Sequence, residues 1–332
     1  MKQLTRLTKS GRDLAPAGLV LLTLFLSVTG PASPEDLLSA ARFASLRTCA
    51  REAALGGAIC SLDVEPTALL TNPAGLSRST QSLSISADTA LMPMGQGLSY
   101  VGIAGWAQPE FVLGAGVLTY GAGNDIEFRR GNSDEPDSIA SAQSQMYTVG
   151  FSSHLLPPIW MGMTFKYMME SIGEFKGAGY SSDIGISYRP YKPIILSTVL
   201  RDYFRSAMDW KEPPSQYIDS AMRLGVAWDG GTWRAVADGN PLPGPARVWG
   251  FGAEWDAHPR ITIRAGLDNL HPTIGFGSRL RYPGKLDSRL DYAFAPAGTS
   301  GYMHRFSLVL GLEILKLEKN RMLFPTEINY EQ

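Results

Sequence analysis

The stretch RVWGFGAEWD, residues 247 to 256, alternates between two kinds of side chain. One set is large or apolar: Trp249, Phe251, Ala253 and Trp255. The other set is small or charged: Gly250, Gly252, Glu254 and Asp256. Because successive side chains of a β-strand point to opposite faces, this period of two predicts a strand with one apolar and one polar face.

The same alternation recurs along the chain from Gln81 onward. It is clear in SAMRLGVAWD (220–229), ITIRAGLD (261–268) and HRFSLVLGLEI (304–314). There are about fourteen such segments, each near the roughly 9–11 residues that a tilted strand needs to cross a membrane. A soluble β-sandwich also alternates, with its apolar face turned inward, so the connections must decide between the two architectures.

The connections between these segments alternate in length. Short turns share one parity: AQPE (107–110), LLPP (155–158), RPYKP (189–193), DGG (229–231), DAHP (256–259) and YPGK (282–285). Longer and more polar connections mostly share the other, at 121–143, 170–179, 202–218, 238–246 and 294–301. Outer-membrane barrels have short periplasmic turns and long external loops. The sequence therefore predicts an all-β fold, a 14-stranded antiparallel up-and-down transmembrane β-barrel over residues 81–315.

The N-terminus has the layout of a secretory signal peptide. A basic opening over residues 2–12 precedes a leucine-rich apolar run from Leu14 to Val28, and small residues follow in TGPAS (29–33). The apolar run is shorter than the roughly 20 residues of a spanning helix, so a cleaved signal over 1–32 is favoured over a membrane anchor. The mature chain is then expected in the bacterial outer membrane, with a polar periplasmic tail over 316–332.

Charge and motif content argue against other classes of function. Charged residues make up 18% of the chain and the formal net charge is −1, so nothing favours nucleic-acid binding. The four histidines form no metal-spaced pair, and HExxH and CxxC motifs are missing, so no enzyme, metal or cofactor is expected. The two cysteines, Cys49 and Cys60, leave two alternatives open: a disulfide that closes a short loop, or two free thiols.

Between the signal and the barrel lies a segment, residues 33–80, with a helical first part and an irregular second part. PEDLLSAARFASLRTCAREA (34–53) contains no glycine and predicts a helix. TALLTNPAGLS (67–77) contains a tight turn at 72–75. The stretch REAALGGAICSLDVEPTALLTNPAGLS (51–77) resembles the N-terminal signature of the PorV/PorQ group of outer-membrane proteins, within the broader FadL-like barrels.

This resemblance implies that the segment folds into the barrel lumen as a hatch. The residues that match the hatch motif are Gly56, Gly57, Asp63, Asn72, Pro73, Ala74 and Gly75. GYSSDIGISYRP (179–190) and HRFSLVLGLEI (304–314) resemble later strands of the same group. The chain departs from the group at Cys60, where small apolar residues are usual, and in its polar tail, where barrel-assembly machinery usually reads a terminal aromatic residue.

Charged residues on the inward-facing parity form a predicted lumen network. Its members are Asp183, Arg223, Glu254, Arg264, Asp268, Arg279, Arg281, Arg289, Asp291 and Glu313. A charge facing lipid costs a few kcal/mol near the midplane, so these residues are expected inside, forming ion pairs that stiffen the barrel and anchor the hatch. A site for a substrate carboxylate at Arg264, Arg279 or Arg281 is the alternative.

Three functions remain open. FadL-like members move hydrophobic compounds across the outer membrane, so the resemblance implies a channel for small hydrophobic molecules. PorV itself serves type IX secretion, which implies binding of secreted proteins, through the external loops 121–143 and 202–218. The third is a structural barrel without transport that contacts outer-membrane lipid.

Overall fold

The computed structural model describes residues 42–108, 110–128, 138–203, 207–210, 216–218, 220–241, 249–281, 286–297 and 301–313. The predicted signal peptide, 1–32, and the predicted tail, 316–332, lie outside these residues. Within the described ranges, no helix combines the length and the apolar character needed to span a bilayer.

The strands form one antiparallel sheet that closes on itself. Their bounds are β1 Leu83–Leu91, β2 Gly97–Gln108, β3 Phe111–Phe128, β4 Ser138–Leu156, β5 Ile159–Ile172, β6 Phe175–Tyr191, β7 Ile194–Arg201, β8 Ala207–Trp210, β9 Gln216–Tyr217, β10 Ala221–Asp229, β11 Trp233–Gly239, β12 Trp249–His258, β13 Ile261–Asp268, β14 His271–Arg281, β15 Leu286–Pro296 and β16 Tyr302–Leu312. Each strand pairs with its neighbour in the chain, except that β7 pairs with β10 and β16 returns to β1. The short strands β8 and β9 form a hairpin on β6. The remaining strands make a closed 14-stranded barrel, which confirms the predicted fold class.

The two ends of the barrel differ in their connections. At the end where β1 begins and β16 ends, turns are tight, as between Leu156 of β4 and Ile159 of β5. Three loops predicted to be external are wrong in their bounds, because strands extend into them. Within 121–143, β3 continues to Phe128 and β4 starts at Ser138; within 170–179, β5 ends at Ile172 and β6 begins at Phe175. Within 202–218 lie the short strands β8 and β9. Strand pairing satisfies the hydrogen bonds of backbone N–H and C=O groups in water as well as in lipid. Strands β3–β6 can therefore continue beyond the residues whose side chains alternate between apolar and polar.

The outward face of the barrel is apolar, as the alternation predicts. On β1, Ser84, Ser86 and Asp88 are buried while Ile85 and Leu91 are exposed. On the outer face of β4, β5 and β6, Tyr147, Tyr167 and Tyr180 form a ladder, with ring centroids 6.4 and 4.8 Å apart. Such aromatic rows are typical of the membrane–water interface of outer-membrane barrels.

Residues 42–80 fold inside the barrel as the predicted lumenal hatch. They contain a 3₁₀ turn at Arg42–Ser45, helix α1 at Ala50–Ala54, helix α2 at Ala68–Thr71 and a 3₁₀ helix at Pro73–Arg78. The predicted continuous helix over 34–53 is wrong in its described part, because Cys49 is extended (φ −103°, ψ 159°) and its sulfur caps α1 by accepting from the N–H of Glu52. The capped break lets the chain turn along the inner wall.

Candidate functional site: the hatch and the lumen

Glycines on the inner wall allow the hatch to lie against the barrel backbone. A Cβ placed on Gly252 of β12 would come within 2.7 Å of the Leu55 Cβ, and one on Gly250 within 2.5 Å of the Gly56 carbonyl oxygen. Gly56 itself has φ +65°, and its own Cβ would collide with the Leu267 backbone. Gly56 and Gly57 form a left-handed turn in contact with β12 and β13, and this backbone conformation requires glycine.

The Asn-Pro-Ala-Gly motif is a turn that is tied to the barrel wall. The Asn72 side chain donates to the Cys60 carbonyl oxygen at 2.8 Å and to the Ser187 hydroxyl of β6 at 3.1 Å, and it accepts from the Ala74 N–H at 3.1 Å. Pro73 lies against Gly162 of β5, where an added Cβ would come within 2.5 Å of the Pro73 carbonyl carbon. Asn72 thus satisfies three polar groups in a site with no exposure to solvent.

Asp63 organises the hatch from within. It is fully buried, and it accepts from the Thr67 hydroxyl at 3.0 Å, the Thr71 hydroxyl at 2.8 Å and the Glu65 N–H at 3.2 Å. Burial, together with the nearby charge of Glu65, raises the pKa of Asp63 to about 6. Gly75 packs on the Asp63 carbonyl group. Asp63 therefore links the Asn-Pro-Ala-Gly turn to the earlier part of the hatch.

A chain of alternating charges joins the hatch to the wall; we call it the charge chain. It runs through Asp256, Arg234, Glu254, Arg264, Asp291, Arg289 and Glu65, and Arg51 is a further partner of Glu254. Glu254 accepts from Arg51 at 3.0 Å through both oxygens and from Arg264 at 2.6 Å. At its other end, Arg289 donates to Glu65 at 2.7 Å. Arg51 and Glu65 belong to the hatch, so the buried ion pairs tie the plug to the wall at two points.

Two further predicted network residues hold separate ion pairs. Arg223 lies 3.1 Å from Asp238 and donates to the Gly57 carbonyl oxygen, and Asp238 accepts from the N–H groups of Ile59 and Cys60 at 2.7 Å. Asp183 lies 2.6 Å from the ammonium of Lys166 on β5. The Arg223 pair therefore fixes the hatch, whereas the Asp183 pair stays within the wall.

The other predicted network residues lie nearer the barrel ends. Asp268 pairs with Arg47 of the hatch at 3.0 Å, and Arg279 is half-buried on the inward parity of β14. The side chain of Arg281 lies outside the described residues. Glu313 is exposed, so its predicted place in the network is wrong: β16 ends at Leu312, and Glu313 lies beyond the ladder where water reaches it. Of the arginines considered for a substrate carboxylate, Arg264 is already bonded to Glu254 and Asp291.

Several partners in these ion pairs were missed in the sequence. Arg51 and Glu65 lie in the irregular hatch, where no periodicity indicates which side chain faces the wall. For Lys166 a signal exists, because the alternation of IWMGMTFKYMMESI (159–172) places it on the inward parity. Asp202, 2.7 Å from Lys166, follows β7 with φ +53° and could not be placed by alternation.

Both cysteines are free thiols, which is one of the two alternatives left open by the sequence. Their sulfurs have different surroundings: Cys49 caps α1, whereas the Cys60 sulfur faces Gly225 of β10. Burial raises the pKa of both thiols, so they are unreactive while the hatch is in place. Among the described residues, no group of His, Cys, Asp and Glu side chains could hold a metal ion.

An apolar cluster, which we call the apolar chamber, fills the lumen along β2–β5, near the end of the barrel where β1 ends. Its wall residues are Leu98, Tyr100, Leu118, Met146 and Met168, each at most 1% exposed. Phe43 and Leu70 of the hatch and Met208 of β8 pack against them. The prediction that inward-facing residues are small or charged is therefore wrong for this part of the wall.

The closed 14-stranded barrel is consistent with a FadL-like fold, and the structural neighbours of this chain are FadL-family outer-membrane transporters. The Ralstonia pickettii toluene transporter TbuX has a TM-score of 0.56 at 13% identity, over 79% of this chain and 96% of that chain. The Pseudomonas putida toluene transporter TodX has a TM-score of 0.52 at 13% identity, over 79% and 96%. A Pseudomonas aeruginosa FadL homologue has a TM-score of 0.55 at 10% identity, over 81% and 99%.

No protein-family model and no curated protein matches the sequence. At 10–13% identity the solved structures show a shared fold. The names of these three structures describe two toluene transporters and a FadL homologue, and none of the three names an enzyme. The resemblance to the PorV/PorQ group stays a hypothesis, supported by the residues of the hatch motif.

Proposed function

We propose that this protein is an outer-membrane channel for small hydrophobic compounds. The apolar chamber is the observation that carries the proposal. The interior of a water-filled porin is polar, whereas here Leu118, Met146 and Met168 face the lumen and pack against Phe43 of the hatch. Methionine side chains adapt to ligands of different shape, so a hydrophobic solute could take the place of Phe43.

Two further observations support this function. The solved structures with the same fold include toluene transporters, and the outward face is apolar with an aromatic ladder, as membrane insertion requires. The predicted signal peptide would deliver the chain to the outer membrane. Recovery from that fraction, with gel migration that changes on heating, tests the location; a soluble periplasmic protein would contradict it.

Uptake of radiolabelled toluene by a deletion strain, complemented with variants, tests the function. Met168→Ser puts a hydroxyl into the apolar chamber, and Met169→Ser changes the next residue of β5, which has the outward parity. We expect uptake to fall severalfold for Met168→Ser and to stay near wild type for Met169→Ser. Equal uptake in the deletion strain and the complemented strain would refute a channel for this class of compound.

A role in secretion is the second candidate, favoured by the external hairpin β8–β9. Tyr217 in β9 is 59% exposed and Tyr203 just before the hairpin is 52% exposed. Exposed aromatic residues are common anchors at protein interfaces. The same deletion strain separates the candidates, because lost secretion with unchanged toluene uptake favours protein binding, and normal results in both assays favour a structural barrel.

A further inference from the structure

A groove of about 650 Å³ crosses the outer face of the barrel over strands β10–β13; we call it the alanine groove. Its floor consists of three exposed alanines, Ala235, Ala253 and Ala265, which are direct partners in the pairing of β11, β12 and β13. In the same row, Trp228 of β10 pairs with Ala235 and Ile274 of β14 pairs with Ala265. The floor therefore runs from strand to strand between two bulky side chains, about 19 Å apart at the usual spacing of paired strands.

Large apolar side chains flank the floor on both sides. On one side, Phe251 and Leu267 form a cross-strand pair and line the groove. On the other side, two residues along each strand, the next row contains Trp233, Trp255 and Ile263, and the two indoles stack with their centroids 5.1 Å apart. The result is a linear depression with apolar walls.

One end of the groove lies at the tight-turn end of the barrel, where β1 begins. Trp228 is the residue before the last of β10, and Trp233 is the first residue of β11. Tryptophan concentrates at the level of lipid headgroups, whereas Ala265 lies in the middle of β13. Because the apolar outer face of a barrel contacts lipid, the groove leads from the headgroups of one leaflet into the hydrocarbon layer.

The shape of the groove selects its occupant. It spans four of the fourteen strand spacings and so curves around about 100° of the wall, a path that a rigid ring system cannot follow. A second copy of the barrel is itself convex, and the footprint of the groove, about 250 Å², is well below the roughly 800 Å² per partner of a stable interface. A flexible, unbranched chain can follow the curve and gain dispersion contacts with the floor and both walls.

We propose that the alanine groove binds one unbranched acyl chain of a phospholipid from the leaflet at the tight-turn end. The headgroup of this lipid lies beside Trp228 and Trp233, and its chain lies over the three alanines. The inference goes beyond the proposed transport function. It rests only on insertion of the barrel in a bilayer and holds whether or not the lumen conducts toluene.

Photolabelling of the full-length protein in vesicles tests the proposal. The vesicles consist of phosphatidylethanolamine and phosphatidylglycerol, with a trace of phosphatidylethanolamine that carries a diazirine in the middle of one acyl chain. After irradiation and proteolysis, mass spectrometry measures the label on each strand. We expect β11–β13 to carry severalfold more label than other lipid-facing strands such as β1 and β2. Even labelling around the barrel would overturn the proposal.

Ala253→Leu fills the middle of the floor, and Ala87→Leu is the matched control. Ala87 is also exposed on the outer face, but its partners on the neighbouring strands are the large residues Val101 and Leu308. Leucine is favourable in contact with lipid, so both variants should insert, as heat-dependent gel migration will show. Ala253→Leu should lower the label on β11–β13 to the level of the other strands, and Ala87→Leu should leave it unchanged. Equal labelling of β11–β13 in the two variants would contradict the proposal.

Two further readouts identify the occupant. A diazirine on a rigid steroid, in the same vesicles, should show no preference for the groove; a preference for the steroid over the acyl probe would overturn the assignment to an acyl chain. Crosslinks between two copies through β11–β13, without lipid label there, would assign the groove to a second copy. A protein that fails to insert would contradict the membrane location as well, whereas an inserted barrel with even labelling contradicts this inference alone.

Discussion

Replacing Arg51 with methionine should loosen the hatch without removing it. Arg51 is the one member of the charge chain that bonds helix α1 to the hub residue Glu254 on β12, through two hydrogen bonds of 3.0 Å. Methionine keeps a side chain of similar length that packs in the same space. The variant therefore removes one of the ion pairs between hatch and wall and leaves the others, such as Glu65–Arg289, in place.

The magnitude follows from the contacts that are lost and those that stay. A hydrogen bond to a charged group contributes about 1.5–3 kcal/mol, and Arg51 makes two. Glu254 keeps Arg234 and Arg264 as partners, so it is not left as an unpaired buried charge and the lower end of the range applies. The closed hatch should lose about 3 kcal/mol, which raises the population of the open form about a hundredfold.

The buried thiol of Cys60 provides the assay. Cys60 has no exposure to solvent in the closed hatch, so a maleimide reagent reacts in proportion to the open population when opening is fast and rare. The measurement uses a Cys49→Ser background, because serine is also a good N-cap for α1. The labelling rate of Arg51→Met should exceed that of its parent about a hundredfold.

Arg234→Met is the control for this prediction. Arg234 bonds the same Glu254 from the neighbouring strand β11, so it joins wall to wall and leaves the hatch contacts in place. Its labelling rate should stay within a few-fold of the parent. If Arg51→Met labels at the parental rate, or if both variants accelerate labelling equally, the claim that Arg51 anchors the hatch is wrong.

Three further outcomes are expected. The pKa of Asp63 is raised in the closed hatch from 3.8 to about 6, so protonation of Asp63 stabilises the closed form below about pH 4, and about 3 kcal/mol of this stability is lost as the pH rises through 6. Cys60 labelling, normalised to unfolded protein at each pH, should accelerate over this window. If Asp63→Asn has the same pH profile as its parent, the assignment to Asp63 is wrong. Gly162→Ala should lower the free energy of unfolding by about 1–3 kcal/mol through overpacking, while Gly121→Ala, whose Cβ would meet nothing within 4 Å, should be neutral in the same thermal denaturation. Asn72→Ala should accelerate Cys60 labelling by at least tenfold, since it leaves buried polar groups unsatisfied at about 1–3 kcal/mol each. A labelling rate equal to that of the parent would mean that the Asn72 hydrogen bonds do not hold the hatch closed.

The barrel could be predicted because its pattern is local. Alternation at Glu254 and Arg264 fixes the inward face without knowledge of the partner strand, and the parity of turn lengths sets the topology. The same signal failed near Phe128 and Ile172, where the strands continue beyond their alternating segments. It also failed at Met146 and Met168, which have the inward parity but line an apolar chamber rather than a polar one.

The hatch could be recognised but not assembled from sequence. The resemblance indicated that Asn72 and Gly56 belong to a hatch motif, and the structure supplies the reason in their contacts with β6 and β13. The pairing of Arg51 with Glu254 spans 203 positions of the chain and has no periodic signature. Such contacts depend on how an irregular segment is seated in a finished barrel, and no local pattern encodes them.

The charge chain has a consequence for an open lumen. Its wall members are equal in number by sign: Arg234, Arg264 and Arg289 against Glu254, Asp256 and Asp291. The hatch contributes one cation, Arg51, and one anion, Glu65. When the plug withdraws, this part of the wall stays electroneutral and presents no net field to a passing solute. Under the proposed function, discrimination along an open passage would then depend on the apolar chamber rather than on the residues that hold the hatch in place.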